Sequence, residues 1–357
     1  MRGRVALLTV AGILAVVAIG GTWLANRMAD AARAIEFLPP RELETFTAIF
    51  VGTGGAHENP RRRGPALAVG RGRDLLLVDA GRGVAEGLRA ARIPPHQPRT
   101  ILLTSLLPDS SAGLDDLLAA GWLAGRDEPL RVVGPPGTAD LVAGLEAAHR
   151  QGLAGQGEAL GLSREGARLV AREVADGEVL RLGGLEVQVA DLPGGPVPAR
   201  AYRIETEGAA VVAVGRAWGE EALVELARGA NLLVHEAFFA ESVEMALEAG
   251  ASEPERLRRD AALRTPLAEA GRRARRAGVG ALALVRMRPP PLFDFQATRV
   301  AGETYRGRLL VPEDGEEVTL TPGSRAPEVS ERDRPPSAAD RSSDPAAPGD
   351  RPGGARP

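Results

Sequence analysis

The stretch Ile101–Leu118 reads ILLTSLLPDSSAGLDDLL, and its reading decides how the rest of the chain is understood. Its pattern predicts a strand over Thr100–Leu103, a short turn, and a helix from about Ala112. The turn carries Thr104, Ser105, Leu106, Leu107, Pro108, Asp109 and Ser110, so Asp109 is its one acidic side chain. Loops that join a rigid strand to a helix are common places for binding and catalytic groups.

Outward from this segment, short apolar runs alternate with helical patterns. Strands are expected at Thr45–Val51, Ala66–Gly70, Leu75–Asp79, Arg131–Val133, Arg168–Glu173, Glu186–Ala190, Ala201–Glu205, Ala210–Val214, Leu232–His235, Ala281–Val285 and Arg308–Val311. Helices are expected at Gly83–Ala91, Gly113–Ala124, Ala139–Arg150, Glu220–Arg228, Phe239–Glu248 and Leu267–Ala277. The last follows Thr265-Pro266, a start signal with proline at the first helical position, and Gly278 is placed to end it. Closely spaced early strands with later crossovers fit two sheets with helices outside better than one parallel sheet.

The 357 residues are enough for one large α/β domain or two small ones, and a hydrophobic content of 44% supports a sizeable core. Aromatics make up only 3%, so leucine, valine and alanine must fill it. Net charge is −3, with basic and acidic residues interspersed, and a dedicated nucleic-acid surface is therefore not expected. All 44 basic residues are arginine. Cysteine is absent, which excludes disulfides, thiolate metal sites and cysteine nucleophiles. The four histidines are His57, His96, His149 and His235, too few to bring together a binuclear zinc site of the usual kind.

The ends differ from the body. Val5–Ala25 is apolar and uncharged, and at ~1.5 Å rise per residue it can cross a ~30 Å hydrocarbon core. With Arg2 and Arg4 before it, residues 1–27 read as a single-pass anchor with a cytoplasmic N-terminus and the body outside the cytoplasm. The rival is a signal peptide cleaved near Ala29-Asp30-Ala31. Residues 28–44 read as a spacer, 45–321 as the body and 322–357 as a tail. In Gly323–Pro357 the one large apolar residue is Val329, so the tail is expected to be disordered.

Several segments together carry a resemblance. VGTGGAHENPRRRGPAL (Val51–Leu67), LLLVDAGRG (Leu75–Gly83), RVVGPPGT (Arg131–Thr138) and LLVHEAFF (Leu232–Phe239) are similar to segments of the metallo-β-lactamase fold, in the branch that holds ribonuclease Z and arylsulfatase-like hydrolases. The resemblance implies an αββα sandwich, two mixed β-sheets flanked by helices, and a zinc-dependent hydrolase. In such enzymes zinc lowers the pKa of bound water to ~7 and so supplies hydroxide.

The motifs implied by that resemblance are degenerate here. Relatives carry T-H-x-H-x-D-H where this chain has Thr104 to Ser110, so Ser105, Leu107 and Ser110 stand where imidazoles would be and Asp109 is retained. Gly194 stands at the next histidine position, Arg216 near the bridging aspartate's, and Arg286 near the last histidine's. No metal is expected to bind, because two fixed cations oppose it. At an effective dielectric of ~20, unit charges ~4 Å apart interact by ~4 kcal/mol, and a dication doubles that. Arg216 and Arg286 must find partners if buried, and Asp79, Asp109 and Glu236 are the natural ones.

Alternatives for these residues follow from their chemistry. Arg216 and Arg286, helped by backbone amides of Gly54 and Gly55, could hold a small anionic ligand. His235, Glu236 and Asp109 are vestigial catalytic candidates, with the His-Glu pair read as retained scaffold. A nonstandard metal site from His57, Asp109 and His235 has no local spacing motif behind it. Neither a G-x-S-x-G elbow nor a P-loop is present. The expectation is a membrane-anchored, catalytically inactive pseudohydrolase with a binding or scaffold role, possessing no cofactor. The alternative is an active metal-dependent hydrolase, phosphodiesterase-like or esterase-like, with a nonstandard site. A third reading is an assembly component that recruits partners through its helix and tail.

Overall fold

Alternate residues of Ala209–Val214 belong to different cores. Ala209, Val211 and Ala213 face a layer between two sheets, whereas Ala210, Val212 and Val214 face a layer of helices. A strand buried on both faces reads as an unbroken apolar run, because each face must exclude water. That pattern recurs through the computed structural model, which describes residues 12, 14–15, 17–28, 37–56, 59, 61–288, 293–322 and 328–330.

The chain divides into two units, Met1–Pro39 and Pro40–Pro357. In the first, residues 17–28 are helical and exposed, with Arg27 stacked 5.6 Å from the Trp23 ring. Of the expected membrane span, residues 5–11, 13 and 16 lie outside the described residues. Among the described residues no helix is long and apolar enough to cross a membrane. The single-pass anchor and the placement of the body outside the cytoplasm are corrected on that finding: the described part of the helix is too short to span a bilayer.

The strands of the second unit are β1 (Leu43–Gly52), β2 (Ala66–Gly72), β3 (Asp74–Val78), β4 (Thr100–Leu102), β5 (Leu130–Gly134), β6 (Leu169–Glu173), β7 (Val179–Leu182), β8 (Leu185–Asp191), β9 (Arg200–Thr206), β10 (Ala209–Val214), β11 (Leu232–Phe238), β12 (Ala281–Arg288), β13 (Arg308–Leu310), β14 (Glu317–Leu320) and β15 (Glu328–Ser330). They form an eight-stranded sheet ordered β15-β14-β1-β2-β3-β4-β5-β6 and a seven-stranded sheet ordered β13-β12-β11-β10-β9-β8-β7. Both are mixed: β1 to β3 pair antiparallel and β3 to β6 parallel, while β10 to β13 pair parallel. One core, including Phe50, Val78, Tyr202 and Val234, lies between the sheets. A second lies under the helices of the seven-stranded sheet and a third under those of the eight-stranded sheet. Each fully buried Val or Leu contributes ~1.5–3 kcal/mol by leaving water. The expected αββα sandwich is therefore the observed architecture.

Differences from the expected elements have local causes. β7 and β14 are four residues long, too short for a clear period. The helix expected to end near Arg150 runs over Thr138–Leu160 and stops at Gly161, whose φ is 65°. Glycines weaken its second half by propensity, but Leu141, Leu145 and Leu153 pack on the core, and tertiary packing overrides propensity. At Gly157 the ring of Trp122 comes so close that a Cβ would lie 2.9 Å from it.

Backbone contacts bring the decisive loop to the seven-stranded sheet. The Arg200 amide donates to the Thr104 carbonyl at 2.7 Å, Ser105 bridges to Ala199, and the Tyr202 hydroxyl donates to the Leu103 carbonyl at 2.8 Å. The loop is also stitched to the end of β3: Ala80 N donates to Ser110 O and Gly113 N to Ala80 O, both at 2.8 Å. The ends of β3, β4, β10, β11 and β12 thus meet at one end of the sandwich.

Candidate functional site

Four of those strand ends and the short helix Pro108–Ser111 contribute one buried charge cluster. Arg216 follows β10, and its guanidinium donates to Glu236 Oε2 at 2.6 Å and to Asp109 Oδ2 at 3.0 Å. Arg286, in β12, donates to the same Asp109 oxygen at 3.2 Å, to Ser110 Oγ at 3.3 Å and to Asp79 Oδ2. Asp79 also accepts from the Thr104 amide at 2.8 Å and from its hydroxyl. The five charged side chains are 2% to 8% exposed. The expected arginine–carboxylate network is present, with its charged partners Asp79, Asp109 and Glu236 named from the sequence.

The electrostatics are uneven within it. Burial pushes the Asp79 carboxyl above the ordinary range, against the pull of Arg286 and the Thr104 donors. Burial pushes Asp109 up too, but Arg286 and Arg216 together outweigh it and hold its carboxyl below the usual range. Burial works to lower Arg216, and Glu236 and Asp109 together raise it. Two guanidinium groups thus meet three carboxylates in one buried cluster. Asp79 and Arg286 both occupy left-handed backbone, with φ of 60° and 52°, a conformation non-glycine residues adopt at a cost. Sequence reading missed that strain, because nothing in the residue type signals it. It also missed Thr104 as the donor that holds Asp79.

The remaining candidates separate. Ser105 and Ser110 are buried with their hydroxyl oxygens 3.4 Å apart, and Leu107 is half-buried beside them. Gly194, with φ 104°, lies in the loop before β9 against Trp218. The Gly54 amide donates to the Arg63 carbonyl at 2.8 Å and so is not free for an anion, while Gly55 packs near the Arg286 carbonyl. His57 lies outside the described residues. His149 pairs with Asp115 on the surface at 3.5 Å.

Strand alternation splits the His-Glu pair. Val234 and Glu236 share one face of β11, towards the sheet interface, whereas Leu233 and Ala237 face the helices, and His235 goes with them. Burial, and then Arg273, lower the His235 imidazole to about 3, so it is neutral at pH 7. Its Nδ1 donates to the Glu236 carbonyl at 2.5 Å. Glu236 keeps a buried Oε1 with no hydrogen-bond partner, although its other oxygen is bound by Arg216.

These residues do not fit zinc. Among the described residues no group of three or more His, Asp or Glu could hold a metal ion. The three carboxylates that converge are spent on guanidinium groups, and among the described residues the imidazole of His235 lies on the other face of its strand.

Comparison with known proteins places the scaffold. No family model matches the chain. A protein named Ribonuclease Z from Mycobacterium sp. (strain KMS) is 34% identical over 243 residues, covering 67% of this chain and 83% of that protein. A Ribonuclease Z from Mycolicibacterium paratuberculosis is 31% identical over 270 residues, covering 74% of this chain and 94% of that one. The chain belongs to the ribonuclease Z family. Among solved structures, the metallo-β-lactamase-fold protein YhfI from Bacillus subtilis matches with a TM-score of 0.59 at 19% identity, over 76% of this chain and 98% of that one. The human short-form tRNase Z matches with a TM-score of 0.57 at 18% identity, over 77% and 99%. Both show the shared fold.

Membership of the ribonuclease Z family corrects two further expectations. The inactive pseudohydrolase with a scaffold role rested on counting lost zinc ligands, and relatives named Ribonuclease Z that match two thirds or more of the chain overturn it as the main reading. Ligand loss shows which charge carrier is missing and is silent about what the substituted groups do. The expectation against nucleic acid rested on a net charge of −3, an average over the chain that does not report how charge is distributed around a site.

Proposed function

We propose that this chain is a ribonuclease Z-like phosphodiester hydrolase that acts on RNA from the strand-end cluster. The support is its 34% identity over 243 residues to a Ribonuclease Z, 83% of which is covered. Phosphodiester hydrolysis needs positive charge against the developing phosphate charge and a base for the attacking water. Arg216 is the cation nearest to both Asp109 and Glu236. Glu236, with one oxygen held by Arg216 and the other unpartnered, is the carboxylate placed to accept a proton. His235 is not assigned to proton transfer, because burial and Arg273 lower its imidazole to about 3, which makes it a weak base, and it lies on the helix face. No step is routed through zinc, because the described residues present no donor set for it.

The test is cleavage of a 3′-extended precursor tRNA and of a small aryl phosphodiester by the full chain. Cleavage is expected, and Glu236→Gln should reduce it by roughly two orders of magnitude while leaving RNA affinity near wild type. Absence of both RNA binding and turnover would end the reading; turnover indifferent to Glu236→Gln would end the assignment of the site.

A further inference from the structure

We infer that Arg216 and Arg286 have taken over the structural work of a bridging metal ion, and that this site is closed to divalent cations. The inference stands whether or not RNA is the substrate.

Three features carry it. First, Asp109 Oδ2 accepts from both guanidinium groups, at 3.0 and 3.2 Å, so one carboxylate oxygen lies between two cations. That oxygen joins Arg216, in the loop after β10, to Arg286 in β12, and Arg286 in turn binds Asp79 at the end of β3, so the seven-stranded and eight-stranded sheets are tied together. A dication bridging carboxylates from two sheets would make the same tie. Second, the surroundings are shaped to the guanidinium groups. A Cβ on Gly215 would lie 2.2 Å from Thr104 Oγ1 and 3.0 Å from Arg286 Nη2, so glycine there leaves room for the Arg286 head. Third, little space is left. The cavity beside Asp79, Thr104 and Arg286 measures about 30 Å³ and is otherwise lined by apolar residues such as Val214, Val234 and Val285. Such a space admits about one water, and its apolar walls offer no further ligands for a metal. Arginine cannot lose its proton at any ordinary pH, so the cationic lock does not open by titration of its cations.

The test uses the purified full chain. It is incubated with excess zinc, dialysed and analysed for metal content, and its melting temperature is compared in zinc and in EDTA. The expected result is zinc far below one equivalent and a melting temperature indifferent to either. One zinc retained per chain, lost in Asp109→Asn, would overturn the inference. A second arm compares zinc affinity of wild type with Arg216→Asp, which removes a cation and adds a carboxylate beside Asp109 and Glu236. An increase of at least about ten-fold is expected, because a dication then meets attraction where it met repulsion. Equal affinity in a folded Arg216→Asp would show that Arg216 does not exclude the metal.

Discussion

The two ends of the sandwich use the same charged residues to opposite effect. At the hairpin end, Arg71 pairs with Glu207 and Arg73 lies 3.7 Å from Glu42, with side chains 40% to 73% exposed. Arg71, Glu207 and Glu42 line an open cavity of about 730 Å³ together with Glu44 and Asp74. At the strand-end site, Arg216 and Arg286 meet Asp79, Asp109 and Glu236 with almost no solvent contact. Exposed pairs are screened and cost side-chain entropy, so they change stability little. Buried pairs give up hydration on both sides, and removing one partner strands the other. Burial, and not the number of ion pairs, decides which end the fold depends on.

The comparison breaks most directly at Arg286. Arg286→Ala leaves Asp79 buried without its cation and should destabilise the protein by about 3–5 kcal/mol, read from urea unfolding. Arg71→Ala at the other end should produce no measurable shift. Adding Asp79→Asn to Arg286→Ala should recover part of the loss, since the stranded charge is gone. If the two single variants were equally mild, the contrast between the ends would be wrong.

Acid sharpens it next. His235 is held neutral in the fold at about 3, below its ordinary value of 6.5. Its contribution to stability is fully present above that ordinary value and is lost as pH falls towards 3, because only the unfolded chain takes up the proton. The slope from this group approaches ~1.4 kcal/mol per pH unit within the window. Asp109 adds a second loss at lower pH, since its depressed carboxyl favours the fold only above its unfolded range near ~4. His235→Gln should flatten the upper part of the profile and leave the lower part; thermal melts from pH 7 to pH 3 would show it. A wild-type profile already flat between pH 6.5 and 4 would contradict the burial of the imidazole.

A smaller effect is expected at Gly215. Gly215→Ala forces Thr104 and Arg286 to move and should cost roughly 1–3 kcal/mol by overpacking. The same substitution at Gly72, in the hairpin end, meets no atom within 4 Å and is strained only through its φ of 58°. A Gly215→Ala loss no larger than that at Gly72 would mean the guanidinium groups are less tightly seated than their distances imply.

Much of the fold was legible because it follows from local rules. Ala210–Val214 and Leu232–His235 are apolar runs that only doubly buried strands explain, and Leu267–Ala277 was bounded by Gly278, which does end that helix with φ 64°. The charge cluster was legible in membership, since buried arginines need carboxylates and few were available nearby. The split of His235 from Glu236 follows from a period of two, yet which of them faced the sheet interface depended on register. The membrane anchor was read from the apolar run Val5–Ala25 with Arg2 and Arg4 before it, and the avoidance of nucleic acid from net charge; neither reports how residues are placed in the fold.

By itself, then, the order of residues determined the layers, the turns and the loss of imidazoles at Ser105, Leu107 and Ser110. Tertiary structure decided that Arg216 and Arg286 share one oxygen of Asp109, that Asp79 is bound through left-handed backbone, and that His235 is neutral. The reason is physical: periodicity and steric preference act between neighbours in the chain, whereas desolvation and Coulomb coupling depend on distances between residues up to 207 positions apart.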